Sequence, residues 1–144
     1  MYPLSGRRVL LVEDEAVIAL DLAALLTELG ADVVGPAHSV ATALALLNAE
    51  KLDCAVLDIN LDGEAVYPVA RLLKARHIPF AFVTAYYGEK VEPEFQDRPI
   101  LQKPVDFQDL VHALLHTCAH RDEVLGPSEE AMEKMRQPKV TTDS

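Results

Sequence analysis

Short, unbroken apolar runs recur along the chain: Val9–Val12, Cys54–Leu57, Phe80–Val83 and Ile100–Leu101. Runs this short, with no period of two, read as strands buried on both faces, as in a parallel sheet. The pattern predicts strands at Arg8 to Val12, Asp32 to Gly35, Cys54 to Leu57, Phe80 to Val83 and Ile100 to Gln102. Segments of helical period lie between them. Ala16 to Leu29 places Ile18, Leu22, Leu25 and Leu29 on one stripe, and Gly30 follows, where a helix end favours glycine. Ser39 is placed to cap a helix whose apolar face is Val40, Leu44 and Leu47. Asp62-Gly63 marks a turn within the loop Asp58 to Glu64. Ala65 to Arg76 is a third helix, with Pro68 tolerated in its first turn. Asp106 opens the last helix, with Phe107, Leu110, Val111, Leu114 and Leu115 on one face. From Tyr86 to Pro99 the period is broken by Gly88, Pro93 and Pro99; only Val91 and Phe95 remain, so a short or mobile helix is expected there. After His120 the chain turns polar: Ser128 to Arg136 could form one or two amphipathic turns, and Gln137 to Ser144 reads as a disordered end.

Strands alternating with helices give an α/β domain. The expected architecture is a doubly wound, flavodoxin-like (βα)5 fold with a five-stranded parallel sheet. Its order, 2-1-3-4-5, is assumed from the fold class. The domain is expected over residues 1–121, with a polar tail over 122–144.

Composition narrows the function. Thirteen Lys and Arg stand against 23 Asp and Glu, a formal net charge of −10. That balance argues against nucleic acid or an anionic membrane as partner, since phosphate backbones require a basic face. Cys54 and Cys118 sit inside apolar segments and read as reduced core residues, which suits a cytoplasmic protein. No apolar run approaches the length of a membrane span, and the segment Met1 to Arg8 lacks the apolar stretch of a signal peptide.

The polar residues that follow the strands carry the chemistry. Glu13-Asp14 follows the first strand, Asp58 the third, Thr84 the fourth, and Lys103-Pro104 the fifth. Each alone has a plain explanation. An acidic pair favours a helix N-terminus, Asp58 could be a turn residue, Thr84 a β-former and Lys103 a solvated lysine. Together they fall at the carboxyl ends of strands, where ligands of open α/β sheets bind. Two carboxylates about 4 Å apart repel by roughly 4 kcal/mol at an effective dielectric of about 20. Such a cluster requires a compensating cation or raised pKa values. Its hard oxygens suit Mg²⁺, Lys103 suits a phosphoryl oxygen, Thr84 offers a hydroxyl, and Asp58 is the best placed nucleophile for an aspartyl-phosphate.

In these residues the chain resembles the receiver domains of bacterial two-component response regulators, over about residues 7 to 120. The similarity lies in Val9-Leu10-Leu11-Val12-Glu13-Asp14-Glu15, in Val56-Leu57-Asp58-Ile59-Asn60-Leu61, in Thr84 and in Lys103-Pro104. The resemblance implies that Asp58 accepts phosphate from a sensor histidine kinase or histidine phosphotransfer protein. It implies Mg²⁺ held by Glu13 or Asp14, Asp58 and the backbone carbonyl of Asn60, and a cis peptide between Lys103 and Pro104. The family usually carries Tyr or Phe three residues before the lysine as a rotameric switch; here that position is Ile100. Pro79-Phe80-Ala81-Phe82-Val83-Thr84-Ala85-Tyr86 is similar to a single-domain subgroup with a Phe-Ala-Thr-Gly-Tyr signature, with Val83 and Ala85 at its second and fourth places. In that reading Thr84 moves toward the phosphoryl group and Tyr86 or Tyr87 reports the change.

The expected function is a stand-alone phosphoacceptor module, with only self-phosphorylation and self-dephosphorylation chemistry, that controls a downstream protein by contact or serves as phosphate shuttle or sink. The alternative is a Mg²⁺-dependent phosphohydrolase with an aspartyl nucleophile. Such enzymes want a second acid two residues after the nucleophile, where this chain has Asn60, and a substrate cap, for which there is little room. A receiver that works unphosphorylated is disfavoured because every acid and the lysine are present. His112, His116 and His120, at i, i+4 and i+8, could chelate a metal, but by helical angle they face away from the apolar stripe and read as a solvated face. His38 and His77 have no assigned role. The last helix and the loop Gly88 to Pro99 are the expected partner face.

Overall fold

A computed structural model describes residues 2–85 and 90–125, with 118–125 described by backbone alone. Five strands, β1 (Arg8–Val12), β2 (Asp32–Ala37), β3 (Cys54–Asp58), β4 (Phe80–Thr84) and β5 (Ile100–Gln102), form one sheet in the order β2-β1-β3-β4-β5. Every pairing in it is parallel. The flavodoxin-like order assumed from the fold class is therefore the observed one.

Four α-helices cover the sheet: α1 (Ala16–Glu28), α2 (Val40–Ala49), α3 (Tyr67–Ala75) and α4 (Phe107–Leu125). Successive strand residues point to opposite faces, and the core divides accordingly. Val9, Leu11, Cys54 and Val56 pack with Leu22 and Leu26 of α1 and Leu110 and Leu114 of α4. Leu10, Val12, Ala55 and Leu57 pack on the other face with Leu47 of α2 and Leu73 of α3. All five residues of β3 and of β4 are buried, which is why those runs show no alternation.

Several boundaries and faces differ from the sequence reading. β2 runs on through Gly35-Pro36 to Ala37, because it is an outer strand, where proline costs no inner ladder bond. The buried positions of α1 are Ala19, Leu22 and Leu26, with Ile18 and Leu25 on the flanks; a stripe wider than 100° can turn by one residue without losing its apolar character. In α4 the buried residues are Leu110, Ala113, Leu114 and Thr117, while Phe107 and Leu115 are exposed. Both that set and the expected one keep helical spacing; they share Leu110 and Leu114 and differ by a rotation about the helix axis that the period alone does not fix. His112 and His116 are exposed, as helical angle implied.

The local signals behave as their chemistry dictates. Ser39 accepts a hydrogen bond from the Thr42 N–H at 3.1 Å, and Asp106 accepts from the N–H groups of Gln108 and Asp109 at the start of α4. Asp62 (φ 53°) and Gly63 (φ 91°) turn a two-residue antiparallel pairing of Asn60–Leu61 with Glu64–Ala65, the two positive φ values that a tight hairpin requires. Gly30 (φ 91°) ends α1 where a Cβ would meet Tyr2 Cβ at 2.6 Å. Beside it the N-terminal segment is pinned by buried Leu4, whose N–H donates to the Leu29 carbonyl; Tyr2 itself is exposed. Among the described residues, the connection from β4 to β5 contains a 3-10 turn, Pro93–Phe95, anchored by fully buried Phe95. Tyr86 and Tyr87, the side chains of Cys118 and His120, and the expected tail from Ser128 lie outside the described residues. No helix among the described residues is long and apolar enough to cross a membrane.

Candidate functional site

The sheet register delivers the charged residues to one edge. Val12 of β1 pairs with Leu57 of β3, so Glu13 and Asp58 emerge side by side. Asp58 pairs with Val83, and Thr84 with Gln102, which brings Lys103 to the same edge one residue later. A hollow of about 230 Å³ opens there, lined by Asp14, Glu15, Asp58, Asn60, Asp62 and Lys103.

Glu13 is fixed before its side chain is considered. Its N–H donates to the Ala37 carbonyl at 2.9 Å, and its own carbonyl accepts from His38 Nδ1 at 2.8 Å. Both partners belong to the end of β2 and the loop after it. The Glu13 carboxylate is wholly buried. Its Oε1 lies 2.8 Å from Lys103 Nζ, and its Oε2 accepts the Glu15 N–H at 3.1 Å. Asp58, 5 % exposed, presents Oδ2 to Lys103 Nζ at 3.2 Å and accepts the Asn60 N–H on Oδ1 at 3.3 Å. Glu15 Oε1 adds a third acid 3.6 Å from the same ammonium.

One ammonium thus serves three carboxylates, and the charge balance shows in the pKa values. Burial pushes the Asp58 carboxyl up from its ordinary 3.8, the Glu13 charge and a hydrogen bond with Glu13 push it further, and Lys103 pulls it back only in part; it reaches about 8. Burial would lower Lys103, but the hydrogen bond it donates to Glu13 and the charge of Asp58 outweigh it, and its pKa is raised. Near neutral pH Asp58 therefore retains a proton for want of positive charge. Carboxylate oxygens of Glu13, Asp14 and Asp58 lie within 4.8 Å of one another. Hard oxygens this close, with too little cationic charge among them, fit a divalent metal ion.

The expected site residues Glu13, Asp14, Asp58, Asn60 and Lys103 are all at this edge, in distinct positions. Asp14 lines the hollow, whereas Glu13 lies beneath it against Lys103. Asn60 lines the hollow and is turned by its side-chain oxygen, which accepts the Gly63 N–H at 2.8 Å. Thr84 is buried at the end of β4, its carbonyl accepting the Lys103 N–H at 2.8 Å, and its neighbour Ala85 reaches the hollow. The Lys103-Pro104 peptide is cis. Ile100, at the usual switch position, opens β5 and is exposed. Two residues of this edge were not assigned from the sequence. Glu15 could have been found as the third acid of a consecutive run. His38 could not: its contact with Glu13 joins positions 25 apart and depends on where β2 ends.

The family model "Response regulator receiver domain" matches residues 9–115. The curated protein PdtaR of Mycobacterium tuberculosis, named a transcriptional regulatory protein, is 30 % identical over 112 residues, 75 % of this chain and 55 % of its own length. The phyllosphere-induced regulator PhyR of Methylorubrum extorquens is 39 % identical over 95 residues, 60 % of this chain and 36 % of its own length. The chain thus spans about half or less of these relatives. Among solved structures, SdrG from Sphingomonas melonis Fr1 is 41 % identical with a TM-score of 0.72, covering 83 % of this chain and 99 % of that one. The BeF3-activated conformation of SdrG is also similar, with a TM-score of 0.66 over 76 % of this chain and 94 % of that one. The sheet order, the matched span and these relatives agree: the chain belongs to the response regulator receiver domains of bacterial two-component signalling.

Proposed function

We propose that Asp58 is the phosphoacceptor of a receiver module that takes its phosphoryl group from a sensor histidine kinase or a histidine phosphotransfer protein. The observation that carries this reading is the placement of Asp58 Oδ2 3.2 Å from Lys103 Nζ in a cluster of carboxylates with a deficit of positive charge. Asp58 would attack the phosphorus of a phosphohistidine; the new O–P bond replaces the N–P bond, whose electron pair returns to the imidazole. Lys103 would hold a phosphoryl oxygen as a point charge. Glu13, fixed through its backbone by Ala37 and His38, keeps the ammonium aimed at the hollow. Mg²⁺ would be held by Asp14, Asp58, the carbonyl of Asn60 and, through its nearby carboxylate, Glu13, and would neutralise charge on the transferring group. Thr84 is assigned the hydroxyl that follows the phosphoryl group.

A groove of about 450 Å³ runs from the hollow between α1 and the loop before α4, bordered by Ile18, Leu22, Pro104 and Val105 and sharing Glu15 and Lys103 with the hollow. Val17 and Leu20 stand 72 % and 68 % exposed on α1. Exposed apolar side chains beside a reactive carboxylate suit the docking of a phosphodonor protein. BeF3 stands in for a phosphoryl group on a carboxylate, so the activated form of SdrG supports the same chemistry here. The output is contact with another protein, or the passing and draining of phosphate, in the cytoplasm.

The test is incubation with a small-molecule phosphodonor, with and without Mg²⁺, followed by intact-mass measurement. One phosphoryl group per chain, Mg²⁺-dependent and lost in Asp58→Asn, is expected. Sustained turnover of phosphomonoesters without a stable adduct would instead identify a phosphohydrolase.

A further inference from the structure

At the opposite end of the sheet a cavity of about 90 Å³ lies among Phe80, Asp97, Arg98, His116 and Thr117. Phe80 opens β4 and Thr84 closes it, so roughly 13 Å of strand separates this cavity from the acidic hollow. Two of its polar atoms are buried without a hydrogen-bond partner: Arg98 Nε and Thr117 Oγ1. Thr117 is 3 % exposed. A helical threonine hydroxyl ordinarily bonds to the carbonyl one turn back, and this one does not. The Arg98 guanidinium lies over the Phe80 ring, 4.5 Å from its centroid. Among the described residues its ion-pair partner is Asp97, whose Oδ1 is 3.7 Å from Nε and whose side chain is 81 % exposed. A pair that open to water neutralises little.

A buried donor without a partner costs on the order of 1–3 kcal/mol, and native proteins explain such groups by a bound water or ion. Arginine has no acceptor, and a threonine hydroxyl can donate. A cationic donor and a neutral donor around a space this small match an oxygen-rich anion. We infer that this cavity binds a small oxyanion, a carboxylate or phosphate, between Arg98 and Thr117, with His116 at its rim and Asp97 opposing entry.

The test follows the Arg98 and Thr117 resonances by NMR in the full chain. Acetate and inorganic phosphate are added separately, at constant ionic strength and without Mg²⁺, with resonances around Lys103 as a control for the hollow. The inference predicts saturable shifts at Arg98 and Thr117 with at least one of the two anions; acetate alone assigns a carboxylate site and phosphate alone a phosphate site. Affinity should fall at least about tenfold in Arg98→Gln and in Thr117→Val, and rise severalfold in Asp97→Asn. Thr117→Val is near-isosteric and removes an unpaired hydroxyl, so its thermal midpoint without anion should be kept or raised. Shifts that never saturate with either anion, leaving a water-filled cavity, would overturn the inference. So would saturation that all three variants leave unchanged.

Discussion

Two buried regions of the molecule are built on opposite terms. Under α3, Phe80, Phe82, Phe95 and Tyr67 form a closed aromatic layer with ring centroids 5.4 to 6.3 Å apart. Every ring there meets another. At the carboxyl edge, Glu13, Asp58 and Glu15 share the single ammonium of Lys103. The first region stabilises the fold; the second holds repulsion that a metal ion would relieve. Removing a ring from the first should therefore destabilise the fold, and removing an acid from the second should stabilise it.

The largest effect belongs to the aromatic layer. Phe82→Ala should lower the unfolding free energy by about 3–5 kcal/mol in urea titrations, because a wholly buried ring leaves a cavity among three others. Lys103→Met should come next, at about 3 kcal/mol near pH 8, since it strands the buried Glu13 charge. That loss should shrink toward acidic pH as Asp58 protonates. A Lys103→Met chain as stable as wild type at all pH values would mean that the ammonium is not the partner on which Glu13 depends.

Asp58→Asn should have the opposite sign. It removes one of three repelling acids and should stabilise the metal-free protein by about 1 kcal/mol at pH 8, as expected where a site is strained for function. The pH dependence sharpens the point. A carboxyl raised from 3.8 to about 8 is favoured in its protonated form in the folded state. Its contribution to stability is full below pH 3.8, declines as pH rises and is gone above about pH 8. The metal-free protein should therefore lose stability between about pH 5 and pH 8 through this group, and Asp58→Asn should flatten that slope. Mg²⁺ must displace the same proton, so its affinity should rise with pH and level off above about pH 8. An affinity independent of pH would place the metal away from Asp58.

The two regions were unequally legible in the sequence. Buried strands advertise themselves as apolar runs, and β5 (Ile100–Gln102) occurs where it was expected. Asp58, Asp14 and Lys103 were found because each lies within two residues of the end of such a run. What was hidden depends on contacts between distant segments. The period of α1 and α4 allowed a stripe but not its rotation, since Val17, Leu20 and Leu115 are apolar yet exposed. His38 reaches Glu13 only because β2 continues past Gly35-Pro36. Glu13 and Asp14 are indistinguishable as a sequence pair. Their separation into a buried partner of Lys103 and a residue lining the hollow follows from the alternation of side chains at the end of β1.

The smallest predicted effect lies away from both regions. Ser39→Ala removes the cap of α2 and should cost about 1 kcal/mol without altering Mg²⁺ affinity or phosphorylation.

The central claim is that Asp58 receives the phosphoryl group. Its most direct test is borohydride trapping after treatment with a phosphodonor and Mg²⁺, which converts an aspartyl-phosphate to homoserine, followed by peptide sequencing. Homoserine at position 58 and nowhere else is the predicted result. Homoserine at Asp14 or another acid, or none after a phosphoryl mass has been observed, would contradict it.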